Sequence, residues 1–364
     1  MDAAWEVVLG DGDAETITRG AITTFVRWAR EHRLLPEAYL YGLAFTQELS
    51  RTYSREVLPV YLMGECSQAG WRSYFPIAFA IKTPIVTMVL LAAGVVGLLT
   101  GRVTVRSDPL LLLGLVTFAV VYFAFLLTSS YNIGHRHLLP IYPVVIVLAG
   151  ASVGWGSGWT GRWVIAGCLA WLLVGNLGIH PNYLCYFNEL IGGPRNGYRY
   201  LAASNVDWGQ NMKRLADYAR SHPREKIKLA YHGSGDPRRY GFECDIIISS
   251  APLGRLADLA PGTYVVSVNH LLGLYNAAAR DSFWDDPEHG ETYRRLHERF
   301  SRVSAQDASS ARDPDRERAW RTYRLLRRGR LLNQLRWRAT DERIGHALFV
   351  YRLPQADLDR LTGI

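Results

Sequence analysis

The stretch YNIGHRHLLPIYP, residues 131–143, places two histidines and an arginine directly before a long uncharged apolar run. The three residues are His135, Arg136 and His137, and the apolar run continues to Trp155. A helix rises about 1.5 Å per residue, so roughly 20 apolar residues are needed to cross about 30 Å of hydrocarbon. The stretch therefore predicts a transmembrane helix that begins with a cationic cluster at the membrane boundary.

Three further runs of the same kind lie on either side, which makes four predicted membrane spans. The spans are residues 77–99, Pro109–Thr128, 138–155 and 163–179. Only the first contains a charged residue, Lys82. Trp and Tyr at the ends of the two shorter runs support them, because these side chains favour the membrane–water boundary. Buried helices of a globular protein are the alternative, but four such runs close together favour a membrane bundle.

The rest of the chain divides around the spans into residues 1–75, 76–179 and 180–364. The first segment contains apolar residues at helical spacing with arginines among them, which predicts an amphipathic helix on an external loop segment. The third contains short β-type runs bounded by Gly, Pro or charges, together with helical stretches. The predicted strands are Ile227–Tyr231, Asp245–Ser249, 264–268 and 347–353, and the predicted helices are 213–221 and 315–337. The predicted fold class is a membrane α-helical bundle of four transmembrane helices with a C-terminal soluble α/β domain.

Pro84 lies inside the first predicted span, two residues after Lys82. Proline has no backbone N–H, so it frees a carbonyl one turn earlier in the helix. Broken helices are tolerated in membranes where neighbouring groups or a cavity satisfy the freed carbonyl. The sequence therefore predicts an interruption in this span.

The composition argues against several classes of function. The net charge of +8 comes mostly from Arg, but acidic residues are interspersed with Arg between Asp281 and Arg343, which indicates a solvated helical surface and no nucleic-acid partner. Binding to anionic lipid of the bilayer is a reasonable secondary effect of this charge. The four cysteines show no CxxC spacing and predict neither a disulfide framework nor a zinc site. His135 and His137 lack a nearby third ligand, so no metal site is predicted, although a divalent metal cofactor is left open.

The cations near the spans allow two readings each. Arg136 offers a planar fork that holds phosphate oxygens in pairs, and His135 and His137 add donors, so the cluster suits an anionic headgroup. The alternative is that Arg136 only anchors a helix end at the interface. Lys82 is either functional, as ionisable groups inside membranes usually are, or it extends to the interface.

The stretch DWGQ at residues 207–210 precedes a predicted helix. Asp207 with Gln210 three residues later matches a capping box, which would account for Asp207 fully. Trp208 is a flat aromatic of the kind that stacks on sugars. Glu189 precedes a Gly-Gly-Pro turn signal.

Several longer blocks occur in an order that resembles a known family. They are LPEAYLYG (35–42), GW (70–71), YFP (74–76), KTP (82–84), RHLLPIYP (136–143), HP (180–181), YFNE (186–189), SNVDWGQ (204–210) and GHALFVYR (345–352). The chain resembles the C-terminal half of bacterial family-39-like membrane glycosyltransferases. These are relatives of protein O-mannosyltransferases and of the lipid A aminoarabinose transferase.

The resemblance implies a partial type-C glycosyltransferase fold with its active site on the external face and a polyprenyl-phosphate-linked sugar as donor. A carboxylate would act as general base on an acceptor hydroxyl, and cations would stabilise the departing lipid phosphate. The implied substrate-binding residues are Lys82, His135, Arg136, His137, Glu189, Asn205, Asp207, Trp208 and Gln210. The implied location is the cytoplasmic (inner) membrane, with both termini and residues 180–364 on the external, periplasmic side.

The chain also departs from the family pattern. The acidic catalytic residue of such enzymes lies in the first external loop, upstream of the blocks that match, and the usual Asp after the DWGQ block is Asn211 here. The resemblance therefore predicts a truncated or split enzyme whose catalytic residue is unknown and whose partner is a separate N-terminal half. Glu65 and Glu189 are the carboxylates near predicted span ends that could substitute as base. The alternative is a non-catalytic membrane-anchored binding or assembly module, and in either case we expect no sugar transfer by the chain alone.

Overall fold

The computed structural model describes residues 21–52, 59–103, 109–155, 158–250, 256–301, 303 and 313–363. The chain divides into two compact units. One consists of Met1–Pro59 with Gln68–Gly70, and the other of Val60–Ser67 with Trp71–Ile364. The division into segments 1–75, 76–179 and 180–364 stays a prediction.

In the first unit, helix α1 (Ala21–Glu31) packs on helix α2 (Glu37–Thr52). Val26 and Ala29 of α1 are completely buried against Leu40 and neighbouring apolar residues of α2. Phe25 and Trp28 stay exposed. Helix α1 lies within the predicted amphipathic pattern, which begins at Ile17; Ile17 and Arg19 of that pattern lie outside the described residues.

Among its described residues, the second unit contains three helical stretches that are long and apolar enough to cross a membrane. These are helix α5 (Pro109–Thr128), the stretch His135–Trp155 built around helix α6 (Tyr142–Ala151), and helix α7 (Trp159–Ile179). The boundaries agree closely with three of the four predicted spans. Length and apolarity of these helices indicate association with a membrane.

The first predicted span is not a single helix. Helix α3 (Tyr74–Lys82) and helix α4 (Ile85–Leu99) meet at an angle of 105°, so they count as a fourth span only if the bent pair is taken together. Pro84 cannot donate to the carbonyl of Ala80, and Thr83 before it is extended. The buried Asn188 takes over this role, because its Nδ2 donates to the Ala80 oxygen at 2.7 Å and to the Thr83 oxygen at 2.8 Å. The predicted interruption is confirmed, and its freed carbonyl is satisfied by a side chain.

The sheet of the second unit has five strands and is mixed. The strands are β3 (Ile227–Tyr231), β4 (Asp245–Ser249), β5 (Gly262–Ser267), β6 (Glu342–Ile344) and β7 (Leu348–Leu353), in the spatial order β4-β3-β5-β7-β6. Strand β3 pairs in parallel with β4 and β5, while β7 pairs antiparallel with β5 and β6. Four of the five strands match the predicted β-type runs, so this region contains a mixed sheet where strands were predicted.

The remaining elements surround the sheet or precede the first membrane helix. A short hairpin joins β1 (Val60–Leu62) to β2 (Glu65–Ser67). The helices are α8 (Met212–Ser221), α9 (Val268–Leu271), α10 (Asp281–Trp284), α11 (Pro287–Phe300), α12 (Pro314–Trp337) and α13 (Gln355–Thr362). One hydrophobic core runs from Phe75 and Leu138 beside the membrane helices to Val266 and Phe349 in the sheet. The helical part and the sheet of this unit are therefore packed together, which fixes the residues between them.

Candidate functional site

Lys82 ends helix α3, just before the break at Pro84. Its ammonium group donates to the carbonyl of Leu184 at 2.9 Å and to that of Asn205 at 2.7 Å, and lies 4.4 Å from the centre of the Phe187 ring. Within the described ranges no carboxylate lies within ion-pair distance of it. The side chain therefore does not extend away from the protein but is directed inward, with one N–H left beyond its two carbonyl bonds.

Asn205 links the elements around Lys82. Its side chain is buried; Nδ2 donates to the Tyr74 hydroxyl at 2.8 Å and the Ala202 carbonyl at 2.9 Å, and Oδ1 accepts the backbone N–H of His135 at 2.9 Å. Three of the predicted site residues, Lys82, His135 and Asn205, are thus brought together. Both N–H groups of the Asn205 side chain are used on protein groups, so it positions its neighbours.

The structure does not bring the side chains of His135, Arg136 and His137 together, although they are consecutive. His135 faces inward, where its Nε2 lies 2.8 Å from the Tyr142 hydroxyl. His137 sits between the rings of Phe75 and Tyr131, and its Nε2 has no hydrogen-bond partner among the described residues. A seven-residue 3-10 turn, His135–Ile141, spaces successive side chains about 120° apart, which explains the divergence.

Arg136 is exposed and points to the surface, toward Trp208. The guanidinium carbon lies 5.4 Å from the centre of the Trp208 ring, which is itself 58% exposed. The Trp208 ring meets that of His232 edge-on at 5.7 Å, and His232 stacks on Tyr275 at 5.0 Å. We call Arg136, Trp208, His232 and Tyr275 the boundary cluster. It combines one exposed guanidinium with a row of aromatic faces.

Asp207 lies beneath the boundary cluster and is completely buried. Its Oδ2 accepts the Ser267 hydroxyl at 2.5 Å and its Oδ1 accepts the Gly209 N–H at 3.0 Å. Burial raises the pKa of this carboxyl to about 6, although both hydrogen bonds act to lower it. Because both oxygens are engaged inside the protein, Asp207 holds the turn that presents Trp208.

The capping box predicted for Asp207 is wrong. Helix α8 begins at Met212, four residues later than a cap at Asp207 requires, and Gly209 with φ +79° prevents an earlier start. Gln210 instead closes the turn: its Oε1 accepts the Trp208 N–H at 2.7 Å and its Nε2 donates to the Val206 carbonyl at 2.9 Å.

His232, Tyr275 and Ser267 were missed by the sequence reasoning. His232 follows β3 and Ser267 ends β5, and β3 and β5 are parallel neighbours, so both lie at the carboxyl edge of this part of the sheet. Ligands of open α/β sheets commonly bind at this edge, which is the signal that could have found them. Burial lowers the pKa of His232 to about 4, so its ring is neutral near pH 7.

The two carboxylates proposed as substitute bases lie elsewhere. Glu189 accepts the indole N–H of Trp171 at 3.1 Å and lines a small pocket with Pro84 and Tyr186. Glu65 is exposed on the edge of the β1–β2 hairpin. Neither has a direct contact with the boundary cluster. Among the described residues, no group of three His, Cys, Asp or Glu side chains could hold a metal ion.

The arrangement can hold an amphiphilic anion. Arg136 supplies donors for an anionic group, Trp208 an exposed flat face, and Lys82 a second cation on the other side of Asn205. Searches of the chain against protein-family models, curated proteins and solved structures give no match.

Proposed function

We propose that the chain takes part in glycosyl transfer at a membrane, where it holds a polyprenyl-phosphate-linked sugar. The observation that carries this proposal is the exposed guanidinium of Arg136 beside the exposed indole of Trp208, at the start of a stretch able to span a membrane. An arginine fork suits a phosphate, and a flat indole suits the apolar C–H face of a sugar ring. Apolar helices on the same side of the cluster suit the lipid tail. The resemblance of the sequence blocks to membrane glycosyltransferases points to the same donor.

Lys82 supports the proposal from inside the protein. The ammonium group of Lys82 donates to the backbone carbonyl of Asn205. The side chain of Asn205 accepts the backbone N–H of His135, the residue that precedes Arg136. The Lys82 amino group has one N–H beyond its two carbonyl bonds and no carboxylate partner among the described residues, so it can donate to an anionic oxygen. In this proposal Lys82 donates to the phosphate oxygen that faces the protein interior, and Arg136 donates to the oxygens that face the surface.

The reaction would exchange one C–O bond for another. An acceptor hydroxyl oxygen attacks the anomeric carbon, the bond from that carbon to the phosphate oxygen breaks, and the polyprenyl phosphate leaves with the electron pair. Arg136 and Lys82 would stabilise the negative charge that develops on the phosphate. A base must take the hydroxyl proton, and Asp207 does not suit this task because both its oxygens are engaged and buried.

Direct binding tests the donor site. The chain is purified in nanodiscs and titrated with a polyprenyl phosphate carrying glucose. We expect Arg136→Ala to weaken binding by about tenfold or more, because a charge-assisted pair of hydrogen bonds is lost. Arg162→Ala is the matched control, since Arg162 is also an exposed arginine but lies in the first turn of α7, at the far end of that helix. Equal affinities of the Arg136 and Arg162 variants would contradict the proposed site.

The second candidate is a binding or assembly module without turnover. It is favoured by the engagement of Asp207 with Ser267 and of Glu189 with Trp171. Under this reading the same donor binds but no sugar is transferred by the chain alone above a protein-free control. Transfer that disappears in Glu65→Gln or Glu189→Gln would instead assign the enzyme activity to this chain.

Both candidates share a location. We propose that the spans lie in the cytoplasmic (inner) membrane, with the sheet and the boundary cluster on the external side and a partial type-C fold around them. Lipid-linked sugars are consumed on that side in the enzymes that the sequence resembles.

A further inference from the structure

A second cationic region lies at the edge of the sheet, separate from the boundary cluster. Two pockets of about 690 and 620 Å³ adjoin there and share Thr340 and Arg343. Volumes of this size are typical of pockets that enclose small molecules. We call the two pockets together the edge groove.

Four arginines that line the edge groove have no carboxylate within ion-pair distance among the described residues. They are Arg195, Arg199, Arg214 and Arg343. The acids that line the same groove are directed to Arg352. Asp341 accepts the backbone N–H of Arg352 at 2.6 Å, and Glu342 lies 3.7 Å from the Arg352 guanidinium. Neither acid is therefore paired with one of the four arginines of the groove.

The positive charge of the groove also affects the pKa of His346, which lines one of the two pockets. Burial and the positive charges of Arg195, Arg343 and Arg214 lower the pKa of its imidazole. The ring is therefore neutral near pH 7 and offers one donor and one acceptor beside the arginines.

Arg343 is fixed in place although it has no ion-pair partner. Its guanidinium lies 4.6 Å from the Phe349 ring centre and 5.2 Å from that of Tyr198, and its Nη1 donates to the Arg195 carbonyl at 2.7 Å. Cation–π contacts hold the plane while the remaining N–H groups stay available. A preorganised guanidinium loses little entropy when it binds an anion.

The groove also offers aromatic surface and lies close to the membrane helices along the chain. Trp337, 70% exposed, lines one pocket, and Asn182, three residues after the end of α7, lines the other. We propose that the edge groove binds a phosphorylated sugar, held by Arg343 and Arg195 at the phosphate and by Trp337 at the ring. Such a ligand could arrive free or as the headgroup of a lipid. This inference does not depend on the donor site at Arg136.

Titration of the full chain in phosphatidylcholine nanodiscs with glucose 6-phosphate, against glucose as the neutral control, tests the site. We expect binding of glucose 6-phosphate only, weakened about tenfold in Arg343→Gln and in the exposed Arg195→Gln. Arg220→Gln is the matched control, since Arg220 is an exposed arginine of α8 that pairs with Asp217. Arg195→Gln keeps the test valid if Arg343→Gln fails to fold, because the described contact of Arg195 in the groove uses its main-chain carbonyl.

Two further arms complete the experiment. A synthetic lipid with a phosphorylated disaccharide headgroup, added to the nanodiscs, should displace glucose 6-phosphate if the natural ligand is lipid-borne, and absence of displacement assigns a free sugar phosphate. The same titrations are repeated in an Arg136→Ala background, where Arg343→Gln and Arg195→Gln should still weaken glucose 6-phosphate binding about tenfold, so failure of the donor site and failure of the edge groove are distinguishable. Equal binding of glucose and glucose 6-phosphate, or equal affinity in the Arg343, Arg195 and Arg220 variants, would overturn the proposal.

Discussion

At the scale of single residues, the burial of the Asp207 carboxyl group lowers the stability of the folded protein when that group is ionised. It is completely buried, and burial raises its pKa from 3.8 to about 6. The folded state therefore holds a proton on Asp207 at pH values where the unfolded chain has released it. Stability must fall as pH rises from about 4 to about 6, and this loss stays constant above that window.

Asp207→Asn should remove this loss while keeping the shape of the turn. The amide oxygen can accept the Gly209 N–H, and the amide nitrogen can donate to the Ser267 oxygen. We expect the difference in unfolding free energy between variant and wild type to move by about 2 kcal/mol in favour of the variant between pH 4 and pH 7. Thermal unfolding in detergent at both pH values measures it.

The unfolding free energy of the variant must be compared with that of the wild type at each pH, because buried histidines change stability with pH in the opposite direction. Burial lowers the pKa values of His232 and His270 to about 4, so their contribution to stability is present at neutral pH and is lost as pH falls below about 6.5. Asp315→Asn controls for removal of a surface charge, since that side chain is 90% exposed. A wild-type-to-variant difference that does not change with pH would contradict the assignment of the shift to Asp207.

At the scale of elements, the break between α3 and α4 depends on one side chain from a distant loop. Asn188 satisfies the carbonyls of Ala80 and Thr83, and its own N–H donates to the Ile81 carbonyl at 2.9 Å. The sequence shows the proline that causes the break, but not the residue 104 positions later that stabilises it. Contacts of this range depend on the whole fold and have no local signature.

A double-mutant cycle tests this role of Asn188. Asn188→Ala should lower the free energy of unfolding by about 2–4 kcal/mol, because two carbonyls lose their donor. In a Pro84→Ala background the restored N–H can donate to Ala80, so we expect the same substitution to cost at least about 1 kcal/mol less. Asn176→Ala is the control, since Asn176 is exposed and bonds only within α7. Strict additivity would show that Asn188 does not act through the break.

The contact of α4 with α6 gives a further prediction. A Cβ atom at Gly94 would come within 1.8 Å of the Leu148 carbonyl oxygen, which belongs to the backbone and has little freedom to move. Gly94→Ala should therefore separate the helices and lower the melting temperature, at a cost of about 1–3 kcal/mol. Gly114→Ala in α5, with nothing within 4 Å, should have no such effect. Equal melting temperatures of the two variants would be inconsistent with the helix contact.

The elements differ in how far they could be predicted from the sequence. The apolar helices could be predicted because their uncharged runs are long. Four strands of the sheet could be predicted because clear turn residues or charges bound their short apolar runs. The β1–β2 hairpin was missed, because its two-residue turn is Met63-Gly64 with φ of +50° and +101°, and Met is not a usual residue at that position. Strand β6 was missed because it has only three residues, two of them charged.

At the scale of the whole molecule, the candidate site was predicted in part. Lys82 and Arg136 were predicted from their position at span ends, Trp208 from its residue type, and Asn205 only from the family resemblance. The structure places all four near the turn at residues 205–210. The divergence of the three consecutive cations follows from the 3-10 turn. The contribution of His232 depends on strand order, which short strands do not reveal.

Helix α7 indicates most clearly that the protein associates with a membrane. This helix has 21 residues, about 31 Å at 1.5 Å per residue, and only 6% of its most apolar window is buried inside the protein. Large apolar side chains such as Leu169, Leu173 and Val174 are more than half exposed, so they require a lipid environment. Trp159 and Trp163 at one end suit the membrane–water boundary. We therefore expect the two ends of α7 to lie on opposite sides of the bilayer.

Cysteine labelling in intact spheroplasts tests this arrangement together with the proposed orientation. A cysteine at Asp217, exposed on α8 after the last span, should react with a membrane-impermeant maleimide above the level of the parent chain. A cysteine at Gly158, which has open space at its Cβ position before α7, should react only after permeabilisation. The reverse pattern would keep the span but place the sheet and the boundary cluster inside, away from externally consumed lipid-linked sugars. Labelling of both positions from the same side would contradict a crossing by α7 itself.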